Sequence, residues 1–456
     1  MSTLGIHLND AALAVASAGQ LSSTESSIVH ADPANASMMG RPATTVARLT
    51  PRTVSVDHWA TLARLGRSTP ASTSAVIRSE LRHKIDEAGR SPIQCAVSPA
   101  FSAQSLGALL SIARAEGFEL VGFHDAAALT VSALGLEGVT LVIEFALGHV
   151  CATRVDADAD NVRRRGHLLR RGSGWLALQQ AWLQLIAEAM VLKTRFDPLH
   201  QGASEQCVYD LLPQVIASAT ANGSADIELP VGNDILRVSL TRDQFAEAAG
   251  PIYDDILAVL HELRPAGMRL NILLDEALLE FPGLLAKLGS LRGCRIFAHP
   301  TGLAARAASL QPIETSEDGT VPMQRGYAAR EVIERPTELD LTTFRTTTDL
   351  APTHVLWEGR AVALPASGLI EIGRSAGIDG VRLADGLAGV SRLHCSLHID
   401  TAGVTLIPYS DQGTWLNDER VRGRVRVQSG DRLRVGTPGV VLDLIAVGGV
   451  GHGAST

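Results

Sequence analysis

Cysteine is scarce and scattered. The chain has 456 residues and five cysteines, Cys95, Cys151, Cys207, Cys294 and Cys395. The number is odd, and no two form a Cys-x-x-Cys pair. That spacing argues against both a disulfide framework and a thiolate metal site, and it suits a reducing cytosol. Long apolar runs are missing too. None is long enough to span a bilayer, so no membrane insertion is expected. The N-terminus has no basic segment, and Asp10 interrupts its nearest apolar stretch, so no secretory signal is expected either. Positive charge is not in excess: formal net charge is -8, which argues against a general nucleic-acid or membrane-surface binder. One local exception is Arg163, Arg164 and Arg165 with His167, Arg170 and Arg171. It reads as a solvated loop, with an anion or partner contact as the alternative.

What is present is apolar and periodic. The hydrophobic fraction is 46%, enough to build packed cores, and the length suits roughly three units of about 150 residues. Two strand–turn–strand units stand far apart. The first runs from Leu4 to Leu8, turns at Asn9-Asp10 and returns through Leu13 to Val15. The second runs from Val139 to Phe145, turns at Ala146-Leu147-Gly148-His149 and returns through Val155. Their repetition suggests a duplicated α/β architecture of two related lobes. Leu106, Leu109, Leu110 and Ala113 recur at helical spacing after Ser102, and Trp175 to Leu192 is a second apolar helix. Ala225 to Leu240 alternates as a hairpin, and Thr241 with Gln244 forms a capping box for the helix that follows.

From about 312 to 351 no hydrophobic period persists, and the segment reads as a linker. It contains Thr337, Thr342, Thr343, Thr346, Thr347 and Thr348. An all-β pattern of short strands with Gly and Asp turns occupies 352–447, and 448–456 is a Gly-rich tail.

Within the all-β region three motifs occur in order: Gly373-Arg374-Ser375, Ser391-Arg392-Leu393-His394 and Gly413-Thr414-Trp415-Leu416-Asn417. Together they resemble a forkhead-associated (FHA) domain, a β-sandwich that captures phosphothreonine peptides. The chemistry suits the residues. A phosphothreonine carries about -1.5 to -2 charge and three acceptor oxygens, and a guanidinium fork matches two of them. The resemblance implies that Arg374 and Ser391 hold phosphate. It implies that Arg392 contacts phosphate or peptide, that His394 supports the loop from behind, and that Gly373, Gly413, Thr414 and Asn417 brace the site. Gln412 stands where the family usually has the Asn that grips the peptide backbone, a longer stem with the same amide.

Residues 1–311 resemble a DnaK-type chaperone nucleotide-binding domain of the actin-like superfamily. The resemblance rests on Pro99-Ala100-Phe101, on the strand-to-helix junction Val121 to Leu129, on Thr194 to Pro198, and on Gly302-Leu303-Ala304-Ala305. The family's phosphate-binding hairpins are degraded here. The first carries His7, Asn9 and Asp10, and the second carries Glu144 and Leu147. The family's catalytic Glu corresponds to Phe123, and its adenosine-binding Gly-Gly turn to Asp275-Glu276. Leu147 adds bulk where backbone must approach phosphate. Asp10, Asp275 and Glu276 add negative charge beside a polyanion, at about 1–4 kcal/mol each when unscreened.

The expected fold is therefore an α/β actin-like two-lobed domain followed by an all-β FHA sandwich. The expected function is a phosphothreonine-peptide adaptor or scaffold on a pseudo-ATPase body, without a bound metal or ATP cofactor. The partner is a phosphothreonine-containing protein, or the chain's own phosphorylated linker, in a Ser/Thr-kinase pathway of a bacterium-like cytoplasm. The alternative is a divergent DnaK-family ATP-binding chaperone recruited to phosphorylated partners through its FHA domain.

Overall fold

The apolar pentad near the N-terminus starts the first sheet. β1 (Leu4–Leu8) buries Leu4, Ile6 and Leu8. The Asn9 side chain closes the next turn by accepting from the Ala11 N–H at 3.1 Å, and the chain returns as β2 (Leu13–Ser17) and β3 (Gln20–Glu25). On its other edge β1 pairs in parallel with β4 (Ile93–Val97), and β4 with β5 (Leu120–Asp125). The core order is β3-β2-β1-β4-β5.

A second sheet repeats that order. β6 (Gly138–Phe145), β7 (His149–Ala157) and β8 (Asn161–Arg171) are antiparallel neighbours. β6 also pairs in parallel with β9 (Leu270–Asp275), and β9 with β10 (Cys294–His299). The order is β8-β7-β6-β9-β10, so one chain contains the same five-strand topology twice. Two helices pack with these sheets. Asp125 caps Ala126–Leu134 by accepting from the Ala128 N–H at 3.0 Å, and all nine residues of that helix are buried. Leu303–Ser309 lies so close to β1 that a Cβ on Gly5 would sit 1.9 Å from the Ala305 carbonyl oxygen. Only glycine fits there. The hairpin Ser224–Val231 with Asp234–Thr241 and its capping box form as the sequence predicts.

The computed structural model describes residues 3–31, 38–264, 270–291, 294–313, 320–328, 332–339, 351–357, 360–377, 380–401, 403–417, 419–429 and 431–445. The chain divides into two compact units, a larger one reaching Asp340 and a smaller one from Leu341 onward. Among the described residues no helix is long and apolar enough to cross a membrane.

Two readings from composition need correction. The arginine cluster is a strand, β8, and not a loop. Its basic side chains are partly spent on ion pairs, Arg164 to Asp125 at 3.1 Å and Arg165 to Asp156 at 3.1 Å. Charge masked a strand whose alternate positions only have to cover a half-exposed sheet face. The segment read as a linker is partly sheet. Met323–Gln324 pairs with β5, Gly326–Ala328 with β8 and Thr337–Glu338 with β10. These ladders are only two or three residues long, so no hydrophobic period is needed, and an Arg295–Glu338 ion pair reinforces the last of them. Buried Tyr327 and an Arg306–Glu334 ion pair at 3.1 Å add side-chain anchors. Thr342, Thr343, Thr346, Thr347, Thr348 and the tail 448–456 lie outside the described residues.

The smaller unit is a β-sandwich. One sheet contains β11 (His354–Trp357), β12 (Arg360–Ala363), β17 (Thr414–Leu416), β18 (Glu419–Arg420), β20 (Arg432–Val435) and β21 (Val440–Ile445), in the order β12-β11-β21-β20-β17-β18. The other contains β13 (Gly368–Gly373), β14 (Val381–Arg382), β15 (Cys395–Asp400), β16 (Gly403–Pro408) and β19 (Val425–Val427), in the order β14-β13-β15-β16-β19. Both sheets feed one core, with Ile370, Ile372, Leu397 and Leu406 from one and Val355, Leu433, Leu442 and Leu444 from the other.

Candidate functional site

In the smaller unit the loops at one end of the sandwich converge on His394. The ring is fully buried. Its Nδ1 accepts from the Ser391 N–H at 3.1 Å. A backbone N–H can only donate, so the ring proton lies on Nε2, which donates to the Gly413 carbonyl at 2.6 Å. Burial holds the ring's pKa below the ordinary histidine value, and the bond to Gly413 opposes that only in part. The His394 backbone adds to the knot. Its N–H donates to Ile372 at 2.8 Å, and its carbonyl accepts from Tyr409 and Ser410 at 3.0 and 3.1 Å. One neutral side chain thus fixes the Ser391 loop against the Gly413 turn.

Arg374 leaves the end of β13 and is laced to the same loop. Its N–H donates to the Ser391 carbonyl at 3.1 Å, and that of Ser375 donates to Arg392 at 2.9 Å. Gly373 permits this approach, since a Cβ there would lie 2.2 Å from the Arg392 carbonyl oxygen. The Arg374 guanidinium spends Nη1 on the Asp385 carbonyl at 3.2 Å, while its Nε is buried with no acceptor. Ser391 Oγ lies 2.6 Å from Ser410 Oγ. Arg392 and Gln412 are exposed, and the Gln412 N–H donates to Ser410 Oγ at 3.1 Å.

Residues 370–436 match the family model of the FHA domain. No curated protein matches the chain. The match covers a minority of the chain, so the FHA description belongs to this segment alone.

The FHA loops bring together Arg374, Ser391, Arg392, His394, Gln412 and Gly413. Thr414 is buried at the start of β17, with an unpartnered hydroxyl. Asn417 is placed elsewhere. It closes the far end of β17, donating to Asp431 Oδ1 at 2.8 Å and accepting from the Arg432 N–H at 2.8 Å. It braces the Asp431 turn and makes no bond to the Arg374 or Ser391 loops among those described. Two participants carried no motif: Ser410, which pairs with Ser391, and the backbone of Asp385. A hydroxyl two residues before the Gln412-Gly413 turn was the only available signal for Ser410. Arg434 covers the Trp415 ring at 3.9 Å.

The larger unit holds a second set of candidate residues where its two hairpins meet. Asp10 is buried, and its Oδ1 accepts from the Leu147 N–H at 2.6 Å. Burial pushes its carboxyl up to about 6, against the pull of that same bond. The Leu147 side chain is fully buried against Ile28 and Ala43. His7 Nε2 donates to Glu144 Oε1 at 3.2 Å, and Glu144 Oε2 is buried with no partner. Asp275 accepts from the Ala277 N–H at 2.9 Å and from the Thr301 hydroxyl, and Glu276 accepts from the Thr301 N–H at 3.3 Å. Phe123 is buried in β5. A cavity of 330 Å³ opens beside these groups, lined among others by His7, Asn9, Glu144, Trp175, Asp275 and Phe281.

Proposed function

We propose that the FHA segment captures phosphothreonine peptides through Arg374 and Ser391, with Arg392 and Gln412 on the peptide side and Gly373, His394, Gly413 and Thr414 as supports. The observation that carries this reading is the Arg374 Nε–H, a buried donor without an acceptor. Leaving such a donor unmet costs about 1–3 kcal/mol, more for a charged group, and a phosphate oxygen would recover it. His394 supports the reading because it is neutral, so the cationic fork faces no competing charge from behind. The FHA segment would act as an adaptor that recruits a phosphorylated partner, in the setting of a Ser/Thr kinase. The test uses the full chain and a degenerate phosphothreonine peptide library, with the unphosphorylated library as control. Retention of the phosphorylated set alone, lost in Arg374→Ala with melting no lower than the parent's, is the expected result. Equal retention by the variant refutes the assignment.

The larger unit is read as a catalytically degenerate actin-like scaffold. The repeated five-strand order supports the fold reading, and the contact between its hairpins supports the loss of chemistry. Where a nucleotide site needs two hairpins with free backbone N–H groups, Asp10 here takes the Leu147 N–H, and the Leu147 side chain fills the space behind. Asp275 and Glu276 are tied to the Thr301 turn and present carboxylates rather than glycine backbone. Calorimetry with Mg-ATP on the full chain decides the matter. No heat above dilution is expected, and low-micromolar binding returns the divergent-chaperone alternative.

A further inference from the structure

From the cavity of the larger unit we infer a binding site for a small aromatic ammonium compound, a ligand class that neither the phosphopeptide reading nor a nucleotide would supply. Its wall is aromatic and braced. Trp175 stacks on Phe281 with centroids 5.1 Å apart and planes at 18°, and Phe145 meets Phe281 edge-on at 5.6 Å. The Trp175 backbone N–H donates to the Ala146 carbonyl at 2.9 Å, which fixes the helix start, and the ring also meets Trp182 edge-on at 6.0 Å. A volume of 330 Å³ accommodates one or two fused rings with a short side chain.

Charge selects among such ligands. Glu144, Asp275 and Glu280 line the cavity with His7 and His299, and among its described lining residues none is Lys or Arg. Asp275 is engaged by the Thr301 hydroxyl. Glu144 is different, because His7 takes one oxygen while the other is buried and unpartnered. Its side chain is 11% exposed. A buried carboxylate oxygen without a donor is costly, and an ammonium group donating to it relieves that cost. The same cation gains from the face of Trp175. A phosphate-bearing ligand would meet three carboxylates and, among the described lining residues, no Lys or Arg to offset them. A metal ion would lack ligands, since no group of three or more His, Cys, Asp or Glu among the described residues could hold one.

The test is a charge series on one ring. Tryptamine, tryptophol and indole-3-acetate are titrated by calorimetry at pH 7 into the full-length protein, with no phosphopeptide present, so the outcome is independent of the FHA reading. Tryptamine is expected to bind at least tenfold tighter than tryptophol, and indole-3-acetate weakest. In Glu144→Gln, tryptamine affinity is expected to fall to the tryptophol level while tryptophol is unchanged. Equal affinities across the series, a preference for the acid, no heat from any of the three at millimolar concentration, or an unaltered tryptamine preference in Glu144→Gln would each overturn the inference. The wild-type series stands alone should the variant fail to fold.

Discussion

The two units bury unmet charge of opposite sign. The FHA segment leaves a guanidinium N–H without an acceptor and backs it with a neutral imidazole. The larger unit buries carboxylates where its hairpins meet, with Asp10 on a backbone N–H and Glu144 on one histidine. A buried polar atom that its own chain does not satisfy states the sign of what would satisfy it. By that criterion the buried Arg374 Nε–H calls for an anion and the buried Glu144 Oε2 for a donor. Fold-level resemblance alone would give the larger unit a polyanionic ligand. The placement of its carboxylates points the other way.

The sharpest way to separate the units is through a glycine in each. In Gly5→Ala the new methyl meets the Ala305 carbonyl oxygen at 1.9 Å, and in Gly373→Ala it meets that of Arg392 at 2.2 Å. Neither neighbour is a flexible side chain, so each substitution is expected to cost about 3 kcal/mol. Calorimetric melting of the full chain should show each variant lowering the transition of its own unit only. Loss of both transitions together would mean that the units do not unfold separately. Gly373→Ala should also weaken phosphopeptide binding, because Arg374 is carried on the displaced strand end.

Arg374→Ala is the next largest effect. Removing a charge-assisted pair from a phosphate is expected to cost about 3 kcal/mol, a loss of roughly a hundredfold in affinity. Fluorescence anisotropy with a retained phosphothreonine peptide would measure it, and the free protein should melt no lower than the parent, because the substitution also removes the unmet Nε–H. A comparable loss in Gln412→Ala would shift the weight of recognition from phosphate to peptide backbone.

Legibility in the sequence follows the length scale of the interactions. The strands of both hairpins, the capping box at Thr241 and the FHA motif order could all be read because each is encoded within a few residues. The Arg374–Ser391–His394 grouping could be read because the motifs carry it. Backbone pairing without side-chain pattern could not be read, which is why Met323–Gln324 and Thr337–Glu338 passed for linker. Long-range polar partners were equally hidden. Asp10 and Leu147 are 137 positions apart, and nothing local says that a turn carboxylate will hold the other hairpin. Ser410 failed for the same reason, as did the role of Asn417, whose partners arrive from a later turn. Phe281 carries no motif, and Trp175 reads only as the start of an apolar helix. Periodicity reports that such residues face inward, but not that a cavity lies beside them.

The smallest effect tests the electrostatic contrast by pH. Burial pushes Asp10 and Asp125 up to about 6 from an ordinary value of 3.8. Between these values the folded state holds more protons than the unfolded one. Stability from these groups is therefore fully present below about 3.8 and is lost as pH rises through 6. His394 has the opposite sign. Its pKa is held below 6.5, so the unfolded state takes up the proton first, and the FHA transition should fall as pH drops from 7 to 5.5. In the larger unit burial also holds down His149 and His167, which pull against the aspartates, so the Asp10 contribution has to be read by difference. Asp10→Asn keeps an acceptor for the Leu147 N–H and carries no charge. At pH 7.5 it is expected to stabilise the larger unit by about 1 kcal/mol, a shift of roughly 2 °C, and the gain should shrink as pH falls through 6 and be largely gone at pH 4, vanishing only well below the unfolded value of 3.8, where Asp10 itself is neutral in both states. A gain that persists unchanged at pH 4 would mean that Asp10 carries no desolvated charge, and the contrast between the two units would rest on Glu144 alone.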